Sequence, residues 1–295
     1  MLRSLLFLPG NNPNMLVNGD VLGADAIIFD LEDAVAPDEK DAARILVRNS
    51  LKYLNYSAIQ TVIRINSLDP NGFWKLDLSE LISLKPDFIL PPKVNSADDI
   101  HEISEFIEKL EQKHGIEPGS TGFIPLIETA LGVENAYKIA ASSPRVKAIF
   151  LGAEDLTADL GCARTAEGDE IFYARSRIVT AARAAGIMAV DTPFTDINDE
   201  EGIFVDATLA KSLGFSGKAS ISPRHVKVIN GVFSPTAAEI DYAHEVLDAI
   251  ERAKAQGKGA ISLYGKMIDK PIVIRAEKVL EMAAQISSKG GGLSE

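Results

Sequence analysis

Short apolar runs recur along the chain, and longer stretches with helical periodicity separate them. The runs are Leu5–Leu8, Ala26–Phe29, Thr61–Ile65, Phe88–Leu90, Phe123–Ile127, Ala148–Leu151, Ile187–Val190 and a weaker one at Gly217–Ile221. Most are continuous rather than alternating, the pattern of strands buried on both faces. Their starts lie about 20 to 40 residues apart, enough for one crossover helix each. The helices announce themselves as well. Ser96 with Asp99 forms a capping-box start, Ile100, Ile103, Ile107 and Leu110 make one apolar stripe, and Gly115 ends it. Pro37-Asp38-Glu39 and Asp199-Glu200-Glu201 open two more helices, the second running to about Leu213.

Eight strands alternating with helices predict a (β/α)8 TIM barrel, an α/β fold. An open doubly wound sheet is the alternative, because periodicity does not report closure. Past Asn230 the pattern changes. Ser234-Pro235 opens a long helix, Gly257 and Gly259 mark a hinge-like loop, Ala260–Leu263 is a short apolar segment, and Pro271 starts a last helix. Residues 1–230 therefore read as the barrel catalytic domain, and residues 231–295 as a helical extension packing on the barrel or on a neighbouring subunit.

Charge narrows the functional classes. Across 295 residues, 30 Lys and Arg against 42 Asp and Glu leave a net charge of −12, which disfavours a sequence-independent grip on nucleic acid or anionic lipid. Cys162 is the only cysteine and the four His are scattered, so neither a disulfide nor a zinc cluster is expected. Pro9-Gly10 stops the first apolar run before it reaches the length of a secretory or membrane segment. The expectation is a cytoplasmic protein with no membrane or nucleic-acid partner.

In a barrel, active sites gather at the C-terminal strand ends. The residues that close each run are therefore site candidates: Asp30, Glu32 and Asp33 after the second, Arg64 in the third, Lys93 after the fourth, Glu128 ending the fifth, and Glu154-Asp155 after the sixth. Such a rim suits a hard divalent cation held by carboxylates, with positions open to water and an oxygen-rich ligand. Each residue also has a plain structural reading. Asp155 fits a helix cap, Glu32 and Asp33 fit a solvated loop, and Lys93 fits a solvated or anion-binding lysine as well as a Schiff-base nucleophile. Glu128, ending the apolar FIPLIE, and Arg64, inside VIRIN, are harder to assign to structure alone.

The blocks RSLLFLPGNNPNML, ADAIIFDLEDAVAPDEKDAAR, VIRIN, LPPK, EPGSTGFIPLIETALGVENA, FLGAEDLTADL, DTPFTDINDEEG and GKMIDKP resemble the citrate lyase beta-subunit family, within the Mg-dependent acyl-CoA lyases and aldolases of the HpcH/HpaI-like group. The resemblance runs in order from about Leu2 to Glu281. It implies a (β/α)8 barrel assembling as homotrimers or hexamers, Mg2+ bound by Glu128 and Asp155, and substrate contact by Arg64. It also implies acid–base chemistry by Asp269 of the GKMID block, delivered by the extension of a neighbouring subunit. Glu32, Asp33, Lys93 and Glu128 then join Arg64 as substrate-binding candidates. The implied reaction is cleavage of a citryl thioester, on CoA or on an acyl carrier protein, to an acetyl thioester and oxaloacetate. Citrate lyase alpha and gamma (carrier) subunits are the implied partners. The alternatives are a stand-alone malyl-CoA, citramalyl-CoA or other hydroxyacyl-CoA lyase, a metal-free Schiff-base aldolase using Lys93, and a non-catalytic scaffold. Two departures stand out: Ser222 where many relatives read His in IHP, and Tyr264 where many read Asp in LDGKMID.

Overall fold

The computed structural model describes residues 1–255 and 261–290, and every apolar run named above falls on a strand of one parallel sheet. The strands are β1 (Ser4–Pro9), β2 (Ala26–Asp30), β3 (Gln60–Arg64), β4 (Phe88–Leu90), β5 (Gly122–Phe123), β6 (Leu126–Ile127), β7 (Ala148–Leu151), β8 (Met188–Asp191) and β9 (Gly217–Ser220). Their order is β5-β4-β3-β2-β1-β9-β8-β7-β6. Because β5 and β6 are two pieces of one extended segment, the nine pieces make eight strand positions. That segment closes the ring. Gly122, Ile124 and Leu126 donate to Asp87, Ile89 and Pro91 on one side, while Lys147, Phe150 and Gly152 donate to Phe123, Pro125 and Ile127 on the other. Pro125, having no N–H, accounts for the break between the two pieces.

The continuous apolar character of the strands follows from burial on both faces. Side chains alternate between the barrel interior and the layer beneath the helices. Leu5, Ile28, Val62, Leu90, Leu126, Phe150, Val190 and Ala219 fill the interior, and Leu6, Ile27, Phe29, Ile63, Ile89, Ile127 and Ile149 face the helices. The helix Ala97–His114 shows how a sequence pattern becomes packing. Ser96 and Asp99 form the capping box, Ile100, Ile103, Ile107 and Leu110 are buried, and Gly115 ends the helix at φ 65°.

Two compact units divide the chain, Leu2–Phe233 and Ser234–Glu295, the second taking in Met1. The second unit contains the helix Ala237–Ala255, an antiparallel hairpin of β10 (Ile261–Leu263) and β11 (Lys266–Ile268), and the helix Lys270–Gly290. Ala243, Val246, Ile268 and Ala276 form its core. The expected hinge at Gly257–Gly259 lies outside the described residues. None of the described helices is long and apolar enough to cross a membrane.

A buried charge network ties the barrel wall to two helices. Arg175 donates to both oxygens of Asp191 at 3.0 and 2.9 Å and to Asp206 at 2.6 Å, while Lys218 reaches Asp191 at 2.6 Å and Asp206 at 2.5 Å. Asp191 and Lys218 lie on β8 and β9, Arg175 and Asp206 on the helices Phe172–Ala185 and Glu200–Leu213. Burial opposes ionisation of Asp206, yet Lys218 and Arg175 hold its carboxyl below the usual aspartate range. Removing one partner leaves charge uncompensated in a medium where that is expensive. Lys218→Met is expected to destabilise the barrel by about 3–5 kcal/mol in urea unfolding followed by Trp74 fluorescence. A loss below about 1 kcal/mol would show that Arg175 alone satisfies both aspartates.

Candidate active site

The strand register builds the site. Two residues beyond the interior layer, the same inward alternation delivers Phe7, Asp30, Arg64, Glu128, Gly152, Thr192 and Ile221. All seven line one cavity of about 540 Å³, which Asp33, Glu154 and Asp155 also border. Apolar Leu126 and Phe150 of the interior layer line the cavity as well.

Arg64 is held from several sides. Its Nε and Nη2 donate to the two oxygens of Asp30 at 2.7 and 2.5 Å, a bidentate fork. Its Nη1 lies 3.0 Å from Glu32 and 3.6 Å from Asp33, and the guanidinium sits 5.1 Å from the centre of the Phe7 ring. Burial disfavours the charge, but Asp30, Glu32 and Asp33 outweigh it and raise the Arg64 pKa further. Lys93 adopts a left-handed backbone, φ 53°, placing its Nζ 2.9 Å from Glu32 and directing its own N–H to Glu128 Oε1 at 2.8 Å.

Glu128 is the least compensated group. The strand-end reading places it on a solvent-facing rim; instead it is 2% exposed, because it follows Leu126 in the inward register. Burial, then the charges of Asp155 and Glu32, push its carboxyl up to about 9, with Lys93 N–H and Arg64 opposing. Burial and a hydrogen bond with Asp33 likewise raise Glu32, against the pull of Arg64 and Lys93. Asp155 is half-buried in the first turn of the helix Ala153–Leu160. Carboxylates outnumber cations here. Among the described residues no group of three or more His, Cys, Asp or Glu forms a full metal cage. Two carboxylates beside an open cavity nevertheless fit a hard cation that draws its remaining ligands from substrate and water.

The structure thus brings together Glu32, Asp33, Arg64, Lys93, Glu128 and Asp155. Asp269 belongs to the second unit, where its carboxylate accepts the Ile272 N–H at 3.3 Å at the start of the last helix. Ser222 caps the helix Pro223–Phe233, its hydroxyl accepting the Arg224 N–H at 3.3 Å. Lys93 is a poor match for Schiff-base chemistry. Burial works against its charge, but the hydrogen bond and charge of Glu32 prevail and raise its pKa, whereas a nucleophilic lysine needs a lowered one. The strand-end reading names Asp30 but not its bond to Arg64, and gives no role to Lys40, whose Nζ donates to the carbonyls of Leu31 and Glu32 at 2.8 and 2.6 Å, or to Gly152. The inward period of two identifies Asp30 and Gly152 once the interior layer is known; no local signal marks Lys40.

A closed parallel barrel with a cavity and acids gathered at its C-terminal strand ends defines a (β/α)8 enzyme of the α/β class. The family model for HpcH/HpaI aldolase/citrate lyase matches residues 3–223, and the chain belongs to that family. It is 46% identical over 281 residues to citrate lyase subunit beta of Leuconostoc mesenteroides subsp. cremoris, covering 95% of this chain and 93% of that one. Identity to the L-malyl-CoA/beta-methylmalyl-CoA lyase of Cereibacter sphaeroides is 34% over 306 residues, covering 97% and 96%. The crystal structure of CitE from Mycobacterium tuberculosis with magnesium, acetoacetate and coenzyme A aligns at a TM-score of 0.77 and 31% identity, covering 96% of this chain and 98% of that one.

The raised carboxyl of Glu128 has a signed consequence for stability. Between the ordinary value of 4.5 and about 9 the metal-free folded state holds a proton that the unfolded chain has lost, so rising pH weakens folding across that window. Glu128→Gln carries no such proton. Its stability advantage over the wild type is expected to grow steadily from pH 5 to pH 8 in EDTA, read from urea midpoints. Parallel curves for the two proteins would mean that Glu128 ionises normally.

Proposed function

We propose that this chain cleaves a citryl thioester into an acetyl thioester and oxaloacetate, with Mg2+ held by Glu128 and Asp155. The observation that carries the reading is that the buried carboxyl of Glu128, with the like charge of Asp155 acting on it, lines the same cavity as Asp155 and Arg64. The 46% identity to a citrate lyase beta subunit, against 34% to a malyl-CoA lyase, supports the citryl group over its alternatives. The magnesium in the CitE crystal structure supports the cation. The same reading supplies CoA or an acyl carrier protein as the thioester's handle, with alpha and gamma subunits as partners.

The chemistry is the reverse of an aldol addition. The tertiary hydroxyl loses its proton, the bond to the methylene beside the thioester breaks, and that electron pair passes into the thioester enolate. The carbinol carbon becomes the ketone of oxaloacetate, and the enolate carbon takes up a proton to become the acetyl methyl. Mg2+, when bound, supplies the positive field that makes a chelated hydroxyl more acidic. Glu128 and Asp155 hold it with two ligands, leaving the other positions to substrate and water. Arg64, fixed by Asp30, supplies positive charge beside the substrate oxygen on which charge develops, and Lys93 with Glu32 and Asp33 borders the substrate carboxylates. Asp269 of a neighbouring copy exchanges the methyl proton.

Glu128→Ala and Asp155→Ala are each expected to abolish Mg2+ binding in calorimetry and to lower turnover of citryl-CoA by about 10³-fold or more. Unchanged Mg2+ affinity in Glu128→Ala would remove it from the metal site. Arg64→Lys keeps the charge but loses the fork, and a loss of about 10²-fold is expected. Faster cleavage of malyl-CoA than of citryl-CoA by the wild type would transfer the reading to that substrate. Activity surviving EDTA would overturn it. Asp269→Ala and Arg64→Ala, each inactive alone, are expected to regain partial activity when co-assembled, since some sites would draw intact residues from two copies. Mixed oligomers as inactive as either parent would refute the shared site.

A further inference from the structure

Gly152 lies at the end of β7, in the inward position next to Glu128. Its backbone is ordinary, φ −101° and ψ 97°, a conformation that any residue adopts. Glycine is therefore not needed here for conformational freedom, unlike Gly161 at the far end of the same helix, where φ is 72°. What position 152 cannot spare is space. A Cβ there would stand 2.6 Å from Glu128 Oε2 and 2.8 Å from Glu128 Cβ, against 3.2 Å from Leu126 Cδ1. The first two approaches are too close for any real carbon, and the nearest is to the carboxylate itself.

We propose that Gly152 is a positioning residue: the missing side chain leaves a berth in which the Glu128 carboxylate is held in its cation-binding orientation. The carboxylate is gripped from two directions. Lys93 N–H fixes Oε1 at 2.8 Å, and the bare backbone of Gly152 receives Oε2. The backbone at 152 is anchored in turn, since its N–H donates to Ile127 O at 2.9 Å and its carbonyl accepts the Leu156 N–H at 3.3 Å. The Gly152 side of the clamp cannot drift without breaking a barrel or helix hydrogen bond. Asp155 sits three residues on, in the turn that Gly152 caps, so one short segment sets the places of both carboxylates. A methyl group at 152 would turn Glu128 out of this orientation while leaving every charged residue of the site present.

The inference deepens the metal assignment proposed above, on which its affinity readout rests; its stability readout does not depend on it. Gly152→Ala is made in the wild-type and Glu128→Gly backgrounds, the second of which removes the Cβ of residue 128 as well as its carboxylate, and urea midpoints are measured for all four chains in EDTA. If the berth belongs to Glu128, alanine at 152 lowers the midpoint in the wild type and has little or no effect once Glu128 is truncated. Should Gly152→Ala fail to fold, recovery of folding in the double variant supports the berth equally. Mn2+ binding by electron paramagnetic resonance supplies the second readout, with a weakening of about tenfold or more expected for folded Gly152→Ala. Equal loss of stability in both backgrounds, failure of both to fold, or unchanged Mn2+ affinity in folded Gly152→Ala would each overturn the proposal. A wild type that binds no Mn2+ would sink the metal assignment, and the stability coupling would still decide the role of Gly152.

Discussion

One buried carboxylate without a cation of its own organises the catalytic end of this barrel. Glu128 is enclosed by the wall that also carries Leu126 and Phe150, and its charged neighbours on one side are Asp155 and Glu32. Low polarity magnifies their repulsion, and like charges close together do not all ionise. Nearby, the same register places Arg64 against Asp30, where charge is matched by a two-pronged hydrogen bond. A compensated pair and an uncompensated acid thus share one cavity. The first is held by its own hydrogen bonds, and the second has one backbone N–H, from Lys93, on its carboxyl.

The remaining architecture serves that contrast. Closure of the ring through residues 122–127 fixes β6 against β7, and so fixes Glu128 against Gly152. The network of Arg175, Asp191, Asp206 and Lys218 braces the neighbouring wall from outside the barrel, away from the cavity. Lys40 holds the carbonyls of Leu31 and Glu32 and thereby steadies the acidic loop that meets Arg64 and Lys93. In the second unit the departure at Tyr264 sits in a left-handed turn at φ 51°, its hydroxyl bonded to Glu245 at 2.9 Å.

Local features were legible in the sequence. Continuous apolar runs mark the strands because both faces are buried, and the stripe from Ile100 to Leu110 marks a helix because its period is helical. Glu128 and Arg64 were visible because a charge closing an apolar run has few structural excuses. What depends on the register between distant strands was not legible. The burial of Glu128, the bond of Asp30 to Arg64 across 34 positions, and the close approach of Glu128 to Gly152 all arise from which residues stand side by side around the ring. Composition carried no sign of the buried network either, since Lys218 and Asp191 look like solvated charges until the helices cover them.

A cation entering this site must displace the proton that Glu128 holds. Calorimetric titration of Mg2+ into the metal-free protein at pH 7, in buffers of different ionisation enthalpy, measures that proton directly. Release of about one proton per bound ion is predicted, with affinity rising toward about tenfold per pH unit below pH 9. Binding that releases no proton and keeps the same affinity from pH 6 to pH 8 would contradict it.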